Sequence, residues 1–263
     1  MKLSIIIIEY HCMHHVVNCV SSIRSHLANI DTECIVISNS EYQDEEIQRY
    51  EHDVPGVSII NTGKNLGYAG GVNAGISHAS GDYLYVVNPD CLLTDGNIIN
   101  VISDMEAEPD WAISGPKVVD GENTIQPSCR RFPRPWTFLL VRSFLSQFPG
   151  AGAETKRYLM ADFDRSTIKE VDWVSGGATL VKASCIKDIG GMDERYFLYM
   201  EDVDWCHTCW SKGFKVKYTP GSVVMHAGQH ESIKGNIIQK LRSKHLRMHL
   251  TSLFKYFLKW RLS

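Results

Sequence analysis

Apolar and polar positions alternate in blocks along the first half of the chain. Four short runs of β-branched and aromatic residues, typical of buried strands, occupy residues 3–8, 34–38, 57–61 and 83–87. The segments between these runs place apolar residues at helical spacing. Alternating strands and helices of this kind fold as a mostly parallel sheet flanked by helices, with right-handed crossovers. The pattern therefore predicts an α/β protein.

The pattern becomes less regular further along. Residues 67–82 are rich in glycine and predict a loop followed by a weak helix. From about residue 120 to 170 the periodicity fails, and "PSCRRFPRPW" (127–136) predicts an extended, exposed segment. Two closing strands are expected at "FKVKYTP" (214–220) and "SVVMHAG" (222–228).

Residues 231–263 differ in composition from the rest of the chain. Apolar residues recur at helical spacing among Lys and Arg, which predicts a basic amphipathic helix. Eight of the 27 Lys and Arg residues lie from Lys234 to Ser263, where no Asp or Glu occurs, so the remainder carries 19 basic against 30 acidic residues. Such a helix either packs on its own domain or contacts an anionic membrane surface, and both alternatives stay open.

Composition narrows the class of protein. With 263 residues and 44% hydrophobic content, the chain can bury a substantial core. Its eight cysteines are widely spaced, unlike those of a secreted disulfide scaffold, which indicates a reducing cytoplasm. The amino-terminal apolar run is too short for a signal peptide, and we interpret it as the first strand. No apolar stretch approaches the roughly 18 residues of a spanning helix, so we expect a cytoplasmic protein that does not cross a bilayer.

The run "YLYVVNPDC" (83–91) ends in polar residues at a strand terminus. Pro89 cannot donate to a sheet ladder, so the strand should stop at Asn88 and leave Asp90 at its carboxyl end, where open α/β sheets bind ligands. Mg²⁺ and Mn²⁺ prefer carboxylate oxygens, and imidazole can complete a Mn²⁺ shell, so Asp90 and His226 could hold such an ion. Each also has a structural interpretation, Asp90 as a cap and His226 as a strand-end histidine.

A second acidic group lies in "YMEDVDWCHTCW" (199–210). Glu201 and Asp202 start a predicted helix, where its dipole stabilises carboxylates, and they also suit a general base beside an aromatic wall. Cys206-His207-Thr208-Cys209 suggests zinc, but the rest of a four-ligand site is missing, so we do not expect zinc there. The cluster "HCMHH" (11–15) is interpreted as an exposed loop.

Five motifs occur in a characteristic order. They are "LSIIIIEYH" (3–11), "KNLGYAGGVNAGI" (64–76), "GDYLYVVNPDC" (81–91), "VSGGATLVKASCIKDIGGMDERYFLYMEDVDWC" (174–206) and "MHAGQ" (225–229). Together they make residues 3–230 similar to the inverting glycosyltransferases of family 2, especially the rhamnosyltransferase-like branch. The resemblance implies a GT-A fold with a Rossmann-like sheet over residues 1–230. It further implies a nucleotide-sugar-binding half (1–115) and an acceptor-binding half (116–230), followed by the basic helix of 231–263.

The resemblance also implies an activity. It favours metal-dependent transfer of L-rhamnose from dTDP-L-rhamnose, with inversion, to a lipid-linked or polysaccharide acceptor in O-antigen- or capsule-type synthesis. Such acceptors lie at the inner face of the cell membrane, which agrees with a basic amphipathic tail. A different hexosyl or galactofuranosyl donor is an alternative, and no nucleic-acid partner is implied.

Individual residues take their implied roles from the same resemblance. Asp90 corresponds to the ligand of a Mn²⁺ or Mg²⁺ ion that bridges the donor diphosphate, and His226 to another residue of that metal site. Asp202 corresponds to the catalytic base, and Glu201 to a residue that orients either that base or the acceptor. The residues implied to contact the donor nucleotide are Glu9, Tyr10, His11, Asn39, Asn65, Gly67, Asn73 and Asn88. Those implied near the donor sugar and acceptor are Trp173, Ser175, Gly176 and Gly177.

Two positions depart from the family pattern, and two other functions compete. Ser38 stands where the family has an Asp that meets the nucleotide base, and Thr208 stands where Arg is usual. A nucleotidyltransferase would show a Gly-rich, basic triphosphate signature near the amino terminus, which "IIIIEYHCMHH" lacks. A catalytically silent glycan-binding partner would be favoured by loss of Asp90 or the acidic pair, and both are present.

Overall fold

A computed structural model describes residues 1–142, 150–226 and 244–260. The strands are β1 (Leu3–Glu9), β2 (Thr32–Ser38), β3 (Ser58–Asn61), β4 (Tyr83–Val87), β5 (Cys91–Leu93), β6 (Trp111–Val119), β7 (Cys129–Arg130), β8 (Lys169–Glu170), β9 (Trp173–Val174), β10 (Ala178–Lys182) and β11 (Lys215–His226). The helices are α1 (Met13–Leu27), α2 (Asp44–Asp53), α3 (Gly67–His78), α4 (Ile98–Ala107), α5 (Thr137–Arg142), α6 (Ala151–Leu159), α7 (Ile186–Ile189), α8 (Glu201–Ser211) and α9 (Lys244–Trp260). The four strands expected in the first half are confirmed, and β4 stops before Asn88.

One large sheet organises the molecule. Its strand order is β3-β2-β1-β4-β10-β6-β11-β5, with β8 beside β11, and β7 pairs separately with β9. Strands β1 to β4 run parallel, whereas β10 lies antiparallel between β4 and β6, and β11 runs parallel to β6. The carboxyl ends of β4 and β11 and the amino end of β10 therefore meet at one edge of the sheet.

The sheet is covered on both faces. Every residue of β1 is buried, and successive side chains alternate between two apolar layers: Ile6 and Ile8 lie in one, and Ile5 and Ile7 in the other. Helix α3 packs in the first layer, and α1 and α4 pack in the second. This burial on both faces explains why the parallel strands are continuous apolar runs rather than alternating ones.

The glycine-rich stretch is helical from its first residue, so the expected loop before the helix is wrong. A side chain at Gly75 would place its Cβ 2.2 Å from Cγ2 of Ile6, and one at Gly67 would lie 2.4 Å from the carbonyl oxygen of Phe197. Gly67 also has a left-handed φ of 75°. The glycines weaken the isolated helix but allow α3 to approach β1 closely, and this packing compensates for their low propensity.

Two further expectations need correction. The two closing strands are one strand, β11, whose register with β6 shifts between Thr219 and Val223. The segment expected to be extended and exposed at 127–136 is only partly exposed. Ser128 and Cys129 are buried because this segment packs beside β6 and β9: β7 pairs with β9, and the hydroxyl of Ser128 donates to the carbonyl of Pro116.

Helix α9 packs against α8. Tyr256 of α9 is fully buried, and its hydroxyl lies 2.8 Å from Nδ1 of His207. Lys259 Nζ and Trp260 Nε1 each donate to the carboxylate of Asp204 at 2.7 Å, and Asp204 is only 1% exposed. Residues 244–260 of the basic helix therefore pack on their own domain, and contact of their outer side with a membrane stays a prediction. The remainder of the segment predicted at 231–263 lies outside the described residues.

No helix within residues 1–142, 150–226 and 244–260 combines the length and the apolarity needed to cross a membrane.

Candidate active site

A tight turn after β4 places Asp90 beside β11. The backbone N–H of Asn88 donates to the carbonyl of Gly177 at 2.9 Å, and the N–H of Cys91 donates to the carbonyl of Asn88 at 3.0 Å. Strand β5 then pairs antiparallel with β11, with Cys91 opposite His226. Pro89 ends β4, and the turn it enforces delivers the carboxylate to the end of a distant strand.

Asp90 and His226 form a pair suited to a cation. Oδ2 of Asp90 lies 3.1 Å from Nε2 of His226, and both side chains are 29% exposed. Burial favours the neutral acid, but the hydrogen bond and charge of His226 outweigh it and lower the pKa of Asp90; the same bond raises the pKa of His226. Adjacent ligands of an octahedral Mg²⁺ or Mn²⁺ ion, with bonds of about 2.1 Å, lie about 3 Å apart. The donor set and its spacing therefore fit such an ion.

Two further side chains, Cys91 and Asn88, lie beside the pair of Asp90 and His226. Cys91 Sγ shares a cluster with the ligand atoms of Asp90 and His226, all within 4.8 Å of one another. Burial and the charge of Asp90 raise the pKa of the Cys91 thiol well above its usual value, so it stays protonated and is a poor ligand for a hard cation. The Oδ1 atom of Asn88 is buried and accepts no hydrogen bond from the described residues.

The zinc interpretation rejected above is also unsupported by geometry. Within the described residues, the group that could hold a metal is Asp90, Cys91 and His226, and Cys206, His207 and Cys209 do not form one. His207 instead stacks on Trp260 with ring centroids 3.7 Å apart, and burial lowers its pKa to about 4.

The acidic pair lies at the start of α8. Tyr199 and Met200, directly before it, have left-handed backbones with φ of 68° and 72°. Non-glycine residues in this region cost on the order of 1–3 kcal/mol each, so the surrounding contacts must hold this turn in place. The turn brings Asp202 against the segment that precedes β10.

Backbone amides fix the carboxylate of Asp202. Its Oδ2 accepts from the N–H of Gly176 at 3.1 Å, and its Oδ1 accepts from the N–H of Val203 at 2.8 Å. Tyr68 donates its hydroxyl to the carbonyl of Gly176 at 2.5 Å, which ties the same residue to α3. Burial raises the pKa of Asp202, and the amide hydrogen bonds oppose this rise. A carboxylate with a raised pKa and fixed orientation is suited to accept a proton.

Glu201 differs from its neighbour. It is buried, and its Oε2 has no hydrogen-bond partner among the described residues. Burial and the nearby charge of Asp202 raise the pKa of Glu201 to about 8. The backbone N–H groups favour the charged form of Asp202, whereas burial and the negative charge of Asp202 favour the protonated form of Glu201.

Glu201→Gln is expected to remove a pH dependence of stability. The unfolded carboxyl group ionises near 4.5, whereas the folded one keeps its proton until about pH 8. The folded state then binds more protons between these values, so the free energy of unfolding of the wild type falls as the pH rises through this window. Denaturant titrations across the window should show a steeper decline in the wild type and in the exposed control Glu122→Gln than in Glu201→Gln, where the raised pKa values of Asp202 and His226 still contribute. An unchanged decline in Glu201→Gln would assign it to other groups.

The residues predicted to contact the nucleotide fall into two groups. Glu9 is fully buried, and its carboxylate accepts hydrogen bonds from Ser38, Ser40, Tyr42 and the N–H of Cys12. Asn39 is buried and donates to the carbonyl of Gly67 at 2.9 Å. Both therefore organise the ends of β1 and β2. Tyr10 and His11, which follow β1, are exposed at this edge.

The remaining predicted residues position the start and middle of α3. Asn65 Oδ1 accepts from the N–H of Gly67 at 2.8 Å. Asn73 Nδ2 donates to the carbonyl of Met192 at 2.8 Å, and its Oδ1 accepts from the N–H of Met192 at 2.8 Å. Asn73 thus ties α3 to the chain that leads toward Glu201. Donor contact by these residues stays a prediction.

A cavity of about 240 Å³ lies beside the cation pair, and we refer to it as the Arg130 cavity. It brings together four predicted residues with two that the sequence interpretation missed. The predicted ones are Asn88, Ser175, Gly177 and His226, and the missed ones are Gln126 and Arg130. Trp173 is buried behind Arg130, and Gly176 faces Asp202. The arginines between prolines were the available signal, but they were interpreted as exposed.

Sequence comparisons relate the chain to known enzymes. Residues 4–164 match the family described as glycosyl transferase family 2. The chain is 31% identical over 201 residues to the N-acetylglucosaminyl-diphospho-decaprenol L-rhamnosyltransferase of Mycobacterium tuberculosis, which covers 71% of this chain and 62% of that protein. It is 26% identical over 186 residues to rhamnosyltransferase WbbL of Escherichia coli, which covers 70% and 64%. The chain thus spans less than two thirds of the length of these relatives.

Solved structures show the same architecture at low sequence identity. GalNAc-T7 with UDP, GalNAc and Mn²⁺ matches with a TM-score of 0.67 at 15% identity, over 89% of this chain and 44% of that one. The mannosyltransferase PcManGT from Pyrobaculum calidifontis, in complex with GDP-Man and Mn²⁺, matches with a TM-score of 0.60 at 15% identity, over 98% and 64%. These similarities concern the fold.

Proposed function

The chain belongs to glycosyltransferase family 2 and has the GT-A fold, and from this premise we propose that it is an inverting rhamnosyltransferase. It transfers L-rhamnose from dTDP-L-rhamnose to a hydroxyl group of a lipid-linked or polysaccharide acceptor in cell-surface glycan synthesis. The observation that carries the proposal is the convergence of the Asp90–His226 pair and the Glu201–Asp202 pair on the peptides of residues 175–177.

The cation site stabilises the leaving group of the reaction, the nucleoside diphosphate. When bound, Mn²⁺ or Mg²⁺ neutralises the charge that develops on the diphosphate as its bond to the sugar breaks. Asp90 and His226 would hold this ion with one oxygen and one nitrogen, and both are ordered by their mutual hydrogen bond. The mannosyltransferase and GalNAc-T7 named above were both solved with Mn²⁺, which supports the choice of ion.

The acidic pair, Glu201 and Asp202, activates the acceptor hydroxyl group. Asp202 takes the proton of the acceptor hydroxyl as that oxygen attacks the anomeric carbon, and the new bond forms on the face opposite the departing diphosphate. The N–H groups of Gly176 and Val203 keep the carboxylate in place during the step. The raised pKa of Glu201 favours its neutral form, which limits the negative charge beside the base. One displacement inverts the centre without a covalent intermediate.

The choice of donor rests on the relatives. Both are rhamnosyltransferases by name, and one of them acts on a diphospho-decaprenol acceptor. Tyr10 and His11 are exposed at the carboxyl end of β1, where a nucleotide base would lie in this fold. Ser38 offers only a hydroxyl there, and that hydroxyl already donates to Glu9.

The test is a panel of dTDP-, UDP- and GDP-sugars, each titrated calorimetrically with and without Mn²⁺. Cation-dependent binding of dTDP-L-rhamnose, stronger than that of the other sugars, is expected. Preference for a UDP- or GDP-sugar would replace the proposed donor, and binding of none of them would favour a silent glycan-binding partner.

The outer face of α9 is formed by Leu250, Phe254 and Leu258. Its composition supports the proposal that the enzyme acts at a membrane surface. These side chains recur every fourth residue and are 52%, 69% and 63% exposed, while the opposite side of the helix packs on α8. Lys244 and Arg247 are exposed on the same helix, which carries no acidic residue. An apolar stripe flanked by cations is typical of helices that lie on anionic lipid. We propose that α9 places the site next to a lipid-linked acceptor.

Replacing Leu250, Phe254 and Leu258 together by Ser should weaken binding to anionic vesicles about tenfold or more, because three exposed apolar side chains lose their burial in lipid. Sedimentation with phosphatidylglycerol vesicles measures this, and wild-type binding should fall as salt is raised. The exposed Ile168→Ser change, elsewhere on the surface, is the control. Equal sedimentation of the triple variant and the wild type would assign α9 to packing alone.

A further inference from the structure

The Arg130 cavity contains polar groups that the protein itself leaves unused. Nε2 of Gln126 and Oδ1 of Asn88 are buried without hydrogen-bond partners among the described residues. Arg130 uses only its Nε within residues 1–142, 150–226 and 244–260, donating to the carbonyl of Pro127 at 3.1 Å. Buried polar atoms without partners are costly unless a ligand or water satisfies them. All three residues line this one cavity, which therefore indicates a ligand site.

Two aromatic rings hold the guanidinium of Arg130. Its central carbon lies 5.0 Å from the ring centroid of Trp173 and 5.6 Å from that of Tyr158. Strand pairing places Arg130 directly opposite Trp173, and both rings are buried. The cation–π contacts fix the side chain while its terminal N–H groups stay available. Arg130 is thus ordered before any ligand arrives.

The chemistry of the cavity matches a sugar better than a phosphate group. A phosphate accepts hydrogen bonds only, whereas a sugar hydroxyl both donates and accepts. Gln126 Nε2 and Arg130 are donors, and Asn88 Oδ1 is an acceptor. Val118 and Pro127 add apolar surface, which suits the C–H groups of a ring or a methyl substituent.

The position of the cavity indicates that its ligand is the sugar that the enzyme transfers. His226 of the cation pair lines it, as do Ser175 and Gly177 on either side of the peptide that binds Asp202. A sugar attached to a diphosphate held at the cation pair would therefore lie within this cavity. Burial raises the pKa of Asp202, and the charge of Arg130 opposes that rise, so Arg130 also lies within electrostatic range of the base.

We propose that Gln126 and Arg130 form the polar wall of the subsite for the transferred sugar, and that Val118 and Pro127 receive an apolar edge such as the methyl group of a 6-deoxyhexose. This inference rests on the proposed function. It assigns a binding role to the segment 126–130, whose side chains contact the sugar of the donor and not its nucleotide.

Calorimetry of Gln126→Met and Arg130→Met against two probes tests this. With Mn²⁺ present, the affinity for dTDP-L-rhamnose should fall about tenfold or more in each variant, because each loses donors to the sugar. The affinity for dTDP, which lacks the sugar, should stay within about twofold of the wild type. The control Arg131→Met removes the neighbouring arginine, which pairs with Asp172 outside the cavity, and should change neither affinity.

The possible outcomes separate the two levels of the proposal. If the wild type prefers another nucleotide sugar of the panel, that sugar and its nucleoside diphosphate serve as the two probes. Equal losses for both probes, or no loss for either, would overturn the sugar subsite and leave the proposed function intact. A wild type that binds no nucleotide sugar would overturn both. Gln126→Met keeps the comparison valid if Arg130→Met fails to fold, because it leaves the contacts of Arg130 with Trp173 and Tyr158 in place.

Discussion

Asp202→Asn is expected to lower the rate of sugar transfer about a thousandfold, because removal of a general base typically costs between 10² and 10⁴ in rate. The amide keeps an oxygen that can accept from the N–H of Gly176 and loses only the acceptor for the N–H of Val203, the next residue of α8, so the loop should retain its position. The affinity for the nucleotide sugar should therefore change by no more than about twofold. Initial rates of nucleoside diphosphate release and a calorimetric titration measure the two quantities.

The comparison with an exposed carboxylate makes this result specific. Asp188→Asn, on α7, should leave both the rate and the affinity unchanged. If Asp202→Asn lost rate and affinity to the same extent, Asp202 would be a structural residue, and the base would have to be sought elsewhere.

Asp90→Asn is expected to abolish the cation dependence of nucleotide-sugar binding. The substitution keeps the size of the side chain but removes its negative charge, and a hard divalent ion binds through carboxylates. The affinity in the presence of Mn²⁺ should fall about a hundredfold, to the value that the wild type shows without Mn²⁺. Thermal shift and calorimetry with dTDP-L-rhamnose measure this.

Asp82→Asn is the matched control for this change. Asp82 lies directly before β4, at the end opposite to Asp90, and is exposed. Its replacement should leave the Mn²⁺ response intact. A full Mn²⁺ response in Asp90→Asn would show that the ion is held by other groups, and the pairing of Asp90 with His226 would then be only structural.

The sheet edge could be predicted from sequence because its signals are local. Pro89 ends β4 through its own covalent structure, and the β-branched runs of β1 to β4 are buried on both faces, so the carboxylate of Asp90 had to lie at a strand end. Ligand chemistry made Asp90 and His226 possible partners in a cation site, but only the resemblance assigned both of them to one site. The two residues are 136 positions apart, and the antiparallel insertion of β10 that brings the third element to this edge leaves no local trace.

Helix α3 and the segment 126–130 were misjudged for the same reason. Propensity counted the glycines against a helix, whereas the contact between Gly75 and Ile6 requires them. Prolines and arginines indicated exposure, whereas Arg130 is stacked beside Trp173, a residue 43 positions later. In both cases a contact between residues far apart in the sequence determines the structure of the segment, and the local sequence pattern carries no information about that contact.

Helix α9 has apolar residues on two sides. Its inner side packs on the core through Leu253, Tyr256 and Phe257. Phe254 is nevertheless among the exposed residues, and Lys259 and Trp260 add hydrogen bonds to the domain. The buried charge of Asp204 explains this orientation, since it needs the donors of Lys259 and Trp260. The apolar stripe of Leu250, Phe254 and Leu258 stays exposed and can contact a second surface, such as the proposed membrane.

The most direct test of the account is a transfer reaction. The full chain is incubated with dTDP-L-rhamnose, Mn²⁺ and an N-acetylglucosaminyl-diphospho-polyprenol acceptor, and the lipid product is analysed by mass spectrometry and by NMR of the anomeric centre. The account predicts an acceptor that gains one deoxyhexose with inverted configuration in the wild type and not in Asp202→Asn. An acceptor left unchanged while the protein binds the donor would contradict it and favour the silent glycan-binding partner.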